Sequence, residues 1–104
     1  MKLYMLYQNA DKISDIVICE VEGTYRKDKK TLLLTNLPIE ICPIIECNDF
    51  GKVLKALVDE DAYIYIINDK LIEVEIAANN MRANHVNELR NALDRWEKVK
   101  ICRN

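Results

Sequence analysis

"AYIYIINDKLIEVEI", residues 62–76, decides how the fold is read. Tyr63 to Ile67 is a continuous aromatic and β-branched run, the composition of a strand buried on both faces. Asn68-Asp69 comes next, a pair that tolerates the left-handed backbone of a two-residue hairpin turn. The next residues alternate, with Ile72, Val74 and Ile76 on one side and Glu73 and Glu75 on the other. The stretch therefore predicts a hairpin between Tyr63–Ile67 and Lys70–Ile76, with the isoleucines and valine against a core.

Upstream of it, Phe50, Val53, Leu54, Leu57 and Val58 repeat at i, i+3, i+4, i+7 and i+8. That spacing predicts a helix from Phe50 to Val58, capped by Asn48 or Asp49, with Asp59 to Asp61 as a solvated exit. Ile39 to Cys47 is β-prone but carries Pro43, which places it at a sheet edge or in an irregular extended segment. Leu3 to Tyr7 reads as an inner strand, and Asn9 to Asp15 as a polar connection. Ile16 to Glu22 sets Val17, Cys19 and Val21 on one face and Glu20 and Glu22 on the other. Gly23 interrupts that strand as a bulge, Thr24 to Arg26 resume it, Lys27 to Lys29 form a hairpin tip, and Thr31 to Thr35 return.

Downstream, "NNMRANHVNELRNALDRWEKVK", residues 79–100, is the plainest helix. Met81, Val86, Leu89, Ala92, Leu93, Trp96 and Val99 fall within an arc of about 140° at 100° per residue, with His85 inside it. Asn87, Glu88, Arg90, Asp94, Arg95 and Lys98 lie opposite, and Asp94 is four residues before Lys98, the spacing of a surface ion pair. This polar side mixes charge signs, whereas a DNA-reading helix more often shows one basic stripe. The arc is read as the lid of a core, with Trp96 near its centre. The spacing 86, 89, 93, 96 is also that of a short coiled-coil seam.

These elements predict an α+β fold over residues 1–104, taken as a single globular domain. Its mainly antiparallel sheet has about five to six strands and two helices in the order β-β-β-(β)-α-β-β-α, forming a two-layer sandwich. Leu3–Tyr7 and Ala62–Ile67 are apolar on both sides. Two helices on one sheet face would leave the other to meet a partner, which predicts a homodimer through apolar sheet or helix surface. His85, Leu89 and Trp96 are the candidate interface residues.

The chain has 104 residues with 15 basic and 17 acidic side chains, a net charge of −2. Whole-chain charge thus lends no support to phosphate binding. The N-terminal "MKLYMLYQNADK" lacks the apolar core and cleavage site of a signal peptide, and no apolar run approaches the ~20 residues of a membrane helix. A cytoplasmic location with four reduced cysteines is expected. Abundant Ile, Asn and Lys suggest AT-rich coding, as in some bacteria, phages and other mobile elements.

Candidate chemistry is sparse. Cys42 and Cys47 in "CPIIEC" match no common zinc spacing, and Cys19, Cys102 and His85 complete a site only by folding coincidence. His85 has no recognisable orienting partner for a Cys-His nucleophile. Ser14 is the one serine and has no nucleophile-elbow context. Gly23 and Gly51 are the only glycines, so no phosphate-cradling loop exists. Glu20, Glu22, Glu73 and Glu75 would pair as carboxylates only if their strands were neighbours.

No catalytic residue, cofactor or metal is therefore expected. The reading favoured is a non-enzymatic accessory protein, a protein–protein interaction or inhibitor module without membrane contact. The alternative is a nucleic-acid-binding accessory protein that grips phosphates with the basic hairpin around residues 25–30: Tyr25, Arg26, Lys27, Lys29 and Lys30.

Overall fold

The computed structural model describes residues 1–103. Six strands come first: β1 (Lys2–Asn9), β2 (Val17–Arg26), β3 (Thr31–Thr35), β4 (Ile44–Glu46), β5 (Leu54–Val58) and β6 (Asp61–Asn68). One helix, α1 (Leu71–Glu97), is the last element of the described chain. The strands form a single antiparallel sheet in the order β4-β3-β2-β1-β6-β5. The order tracks the chain except at β1–β6, where Tyr4 to Asn9 pairs with Asn68 to Tyr63.

The fold is α+β with a mainly antiparallel sheet, as the sequence predicts, but it has one helix rather than two and is not a two-layer sandwich. Two corrections share one cause. Residues 54–58 form β5 rather than the second half of a helix, and the hairpin turn lies at Asp59-Glu60, between paired Val58 and Asp61. Asp59 takes the left-handed conformation there (φ 54°), which Asp tolerates better than most residues. "DED" is thus a hairpin tip, not a helix exit. β5 occupies the outer edge of β6 while β1 occupies the inner one. No edge remains for residues 70–76, so "LIEVEI" cannot pair as the predicted return strand and begins α1 instead.

The helical start has its own local support. The Asn68 side chain accepts a hydrogen bond from the Lys70 amide (3.1 Å), turning the chain out of β6, and Glu73 lies in the positively polarised first turn. No Gly or Pro interrupts the sequence from Leu71 to Glu97, so nothing stops the helix once it is nucleated. Helical geometry changes which residues are inside. Val74 is fully buried, while Ile72 and Ile76 are exposed beside Glu73 and Glu75. Glu73 and Glu75 therefore never face Glu20 and Glu22 across neighbouring strands. Those strand glutamates pair with basic groups instead: Glu20 with Lys2 (2.6 Å) and Glu22 with the chain's amino terminus (3.6 Å).

The inner strands are read correctly from sequence. β1 and β6 sit mid-sheet and bury both faces. On the inner face Leu3, Met5, Val21, Leu32, Leu34, Ile45, Tyr65 and Ile67 form the main core. The sheet curls around this core, and Leu37, Ile39, Ile41 and Phe50 from the irregular segments close it. On the outer face Leu6 and Ile66 meet Val74, with Tyr4, Ile16, Ala77, Ala78 and Met81 around them. The inner face is thus covered by the chain itself, and needs neither a second helix nor a partner.

Gly23 is not a bulge. It stays in register opposite Leu34 and exchanges backbone hydrogen bonds with Met1 (both 2.8 Å). Its missing side chain makes room for Leu3, because a Cβ here would lie 2.7 Å from Leu3 Cδ1. Leu3 is fully buried and cannot swing into solvent. Gly23→Ala is therefore expected to cost about 1–3 kcal/mol by overpacking. In a Leu3→Val background the same change should cost distinctly less, because the clashing methyl is gone. Urea denaturation of the four proteins checks this, and equal costs in both backgrounds would refute the contact as the reason for the glycine.

Candidate functional site

A 27-residue helix spans about 40 Å, and only its start has sheet beneath it. Met81 is the last residue of α1 in the outer-face cluster. From Arg82 to Glu97 every residue is exposed except half-buried Ala92. The molecule is accordingly long, with extents of 68 × 30 × 22 Å. Its radius of gyration is 17.9 Å, against ~13 Å for a compact chain of this size.

The free part of α1 carries apolar side chains without cover. Val86, Leu89, Leu93 and Trp96 are 39, 67, 60 and 74 % exposed. At 100° per residue they occupy an arc of about 80°. His85 and Ala92 continue the line of Val74, Ala78 and Met81 beyond the sheet, and the four large residues run beside it. The arc read from the sequence is therefore present, but it is no lid, and Trp96 is the reverse of a core residue. Near the end of the helix Ala92, Arg95, Trp96 and Val99 surround a shallow open hollow of about 250 Å3.

The opposite side of the helix is polar and carries one ion pair near its end. Lys98 Nζ donates to Asp94 Oδ2 (3.0 Å), the pair predicted from spacing. On the apolar side, exposed His85 has its Nδ1 3.9 Å from Glu88 Oε2. The helix closes where the Lys98 amide is shared between the Asp94 and Arg95 carbonyls and Arg95 faces the negative end of the dipole. His85, Leu89 and Trp96 thus lie together on exposed helix surface, far in sequence from any sheet cysteine.

The basic hairpin forms as predicted, with turn residues 27–30 between β2 and β3. Lys30 takes a left-handed conformation (φ 51°). Cys47 fastens the underside of the tip: its amide and its Sγ both donate to the Lys30 carbonyl, at 3.3 and 2.8 Å. Hydrogen bonding of the Tyr25 phenol to the neighbouring Cys47 side chain favours the protonated phenol and pushes its pKa upward. Tyr25, Lys27, Lys29 and Lys30 are exposed and Arg26 is half-buried. None of the four basic residues forms an ion pair among the described residues.

A second hollow, of about 320 Å3, lies between Tyr7, Tyr63 and the loop after β1. Asn9 Oδ1 accepts from the Asp11 and Lys12 amides, and Gln8 donates to the Ser14 carbonyl (2.8 Å). Ser14 Oγ accepts from the Asn9 amide, which makes it a loop-forming group. Burial pushes the Tyr7 phenol up, reinforced by Cys19 and Tyr63. Tyr65 is pushed up by burial and then by Asp49. These shifts keep both phenols protonated near neutrality, so neither is prepared as a base.

All four cysteines are free thiols, Cys42 and Cys102 exposed and Cys19 and Cys47 partly buried. Among the described residues, no three His, Cys, Asp or Glu side chains gather as a metal-ligand set. Among the described residues, no helix is long and apolar enough to cross a membrane. Comparison with known proteins gives no matching family model, no similar curated protein and no similar solved structure.

Three outcomes are expected from this geometry. Trp96→Ala should leave monomer stability within about 0.5 kcal/mol, the ordinary range for an exposed position. Leu6→Ala, beneath the base of the helix, should cost about 2–5 kcal/mol. Denaturation at low protein concentration compares the two, and a large loss for Trp96→Ala would place the indole in a core. Burial also raises the Cys19 thiol pKa, so Cys19 should react slowly with a thiol reagent at neutral pH, while Cys42 and Cys102 react first. Peptide mapping after brief alkylation reads that order.

Proposed function

We propose that this protein is a non-enzymatic protein–protein interaction module, an accessory or inhibitor protein whose contact element is the free part of α1. The supporting observation is the row Val86, Leu89, Leu93 and Trp96, held in water on a helix with no sheet beneath it. Isolated helices of ~12–15 residues are marginal in water, and tertiary contact normally stabilises an amphipathic one. A partner on this row would bury the apolar side chains and fix the helix together. The charge balance of −2 fits this reading. A cytoplasmic setting and a phage or mobile-element origin belong to the same proposal, on compositional grounds alone.

The second reading is a nucleic-acid-binding accessory protein. It is favoured by one observation: Arg26, Lys27, Lys29 and Lys30 carry no acidic partner among the described residues, at a tip flanked by exposed Tyr25. Such a site would bind phosphates with strong salt dependence.

Affinity capture from the native host, with the Leu89→Glu/Leu93→Glu variant beside the wild type, tests the first reading. Protein recovered by the wild type and lost by the variant is the expected result; equal recovery would refute the helix as the contact element. A gel shift across salt concentrations tests the second. Salt-sensitive binding abolished by charge reversal at Lys27, Lys29 and Lys30 would favour it over the first.

A further inference from the structure

Resting on the reading of α1 as a contact element, we propose that its occupant is a second copy of this chain, the two free helices pairing through Val86, Leu89, Leu93 and Trp96. The intervals between these residues are three, four and three, the alternation that sets one helix's ridge into the grooves of another. A two-fold pair needs one patch that fits itself. Two identical rows meet that condition by construction, because each offers the same spacing and the same length of free helix.

The area is sufficient. The exposed parts of these four residues amount to ~500 Å2 per copy, so a pair that covered them fully would bury on the order of 1,000 Å2, the least that a specific interface should show. The charges are compatible with self-pairing. From Arg82 to Glu97 the helix carries Arg82, Arg90 and Arg95 against Glu88, Asp94 and Glu97. Two such segments side by side carry no net repulsion. The same balance gives no attraction toward a strongly acidic or basic partner, which separates a second copy from nucleic acid or a charged peptide. Small Ala83 and Ala92 border the row and allow close approach of the helices.

Trp96 is the only tryptophan and lies on the row, so its emission reports on the interface directly. Sedimentation velocity and tryptophan emission, monitored from about 1 to 100 µM, form the test. The expected result is a mass rising from 12.1 kDa toward twice that value, with a blue shift of emission in step. Leu89→Glu/Leu93→Glu retains Trp96 and alters only exposed positions. It should stay monomeric and red-emitting, with association weakened at least about tenfold by a buried unpaired charge and unchanged helical circular dichroism. A wild-type dimer that the double variant does not weaken would overturn the helix as the seam. A wild type that stays monomeric with red emission overturns self-pairing but leaves the contact-element reading standing, provided the double variant still loses a captured host protein. A monomer with blue emission overturns both, because the helix would then be covered by its own chain.

Discussion

Strand β6 has two edges, and both are taken. β1 pairs along one and β5 along the other, over Tyr63–Asn68 and Asp61–Tyr65 respectively. That occupancy governs the segment next in the chain. Residues after Asn68 leave the sheet, because no edge with free amides and carbonyls remains there, and a segment leaving a sheet must satisfy its own backbone. The α-helix does so within itself. The β1–β6 pairing also draws the beginning of the chain against residue 68, so the helix starts over the two strands that bury side chains on both faces. Leu6 and Ile66 supply the patch on which it rests.

The molecule accordingly divides into two regimes. The curled sheet is held by side chains from every strand packed around one inner core. The helix is held only at its base, by Val74 and a few small or flexible neighbours. Beyond Met81 its stability depends on intrahelical hydrogen bonds, on Asp94–Lys98, and on whatever meets its apolar row. Regions with few buried contacts open at low free-energy cost, so exchange of amides along residues 82–97 should track the occupancy of that row rather than global unfolding.

The chemistry of the surface points the same way. Titratable side chains are spread out or paired locally, Tyr7 and Tyr65 are raised first of all by burial, and the one histidine stands in solvent beside a glutamate. Two surface features concentrate one kind of side chain, the basic hairpin tip and the helix row. The row has the larger share of surface out of place in water, since a Trp and two Leu exposed together are atypical of a solvated helix face. The interaction proposal rests on that imbalance. The hairpin, fastened by Cys47 to the Lys30 carbonyl, is well defined but has the composition that any solvated turn can show.

Sequence by itself determined much of the sheet. Continuous apolar runs at Leu3–Tyr7 and Ala62–Ile67 marked the two strands buried on both faces, because only a central strand can hide such runs. Thr31–Thr35 and the basic hairpin tip were legible from alternation and turn chemistry, and Pro43 marked the edge strand because it lacks an amide donor. The apolar arc and the Asp94–Lys98 pair of the last helix came from the 3.6-residue period. Tertiary structure alone decided the rest. Leu54–Val58 has a helical spacing and Leu71–Ile76 a strand-like one, yet each adopts the other state. A short window fits both periods, and competition for the edge of β6 settles which segment is paired. Likewise the sequence showed that one helix face is apolar, but a periodic pattern carries no record of how far the sheet extends beneath it. The sheet ends near Met81, and the same side chains that read as a lid stand in water.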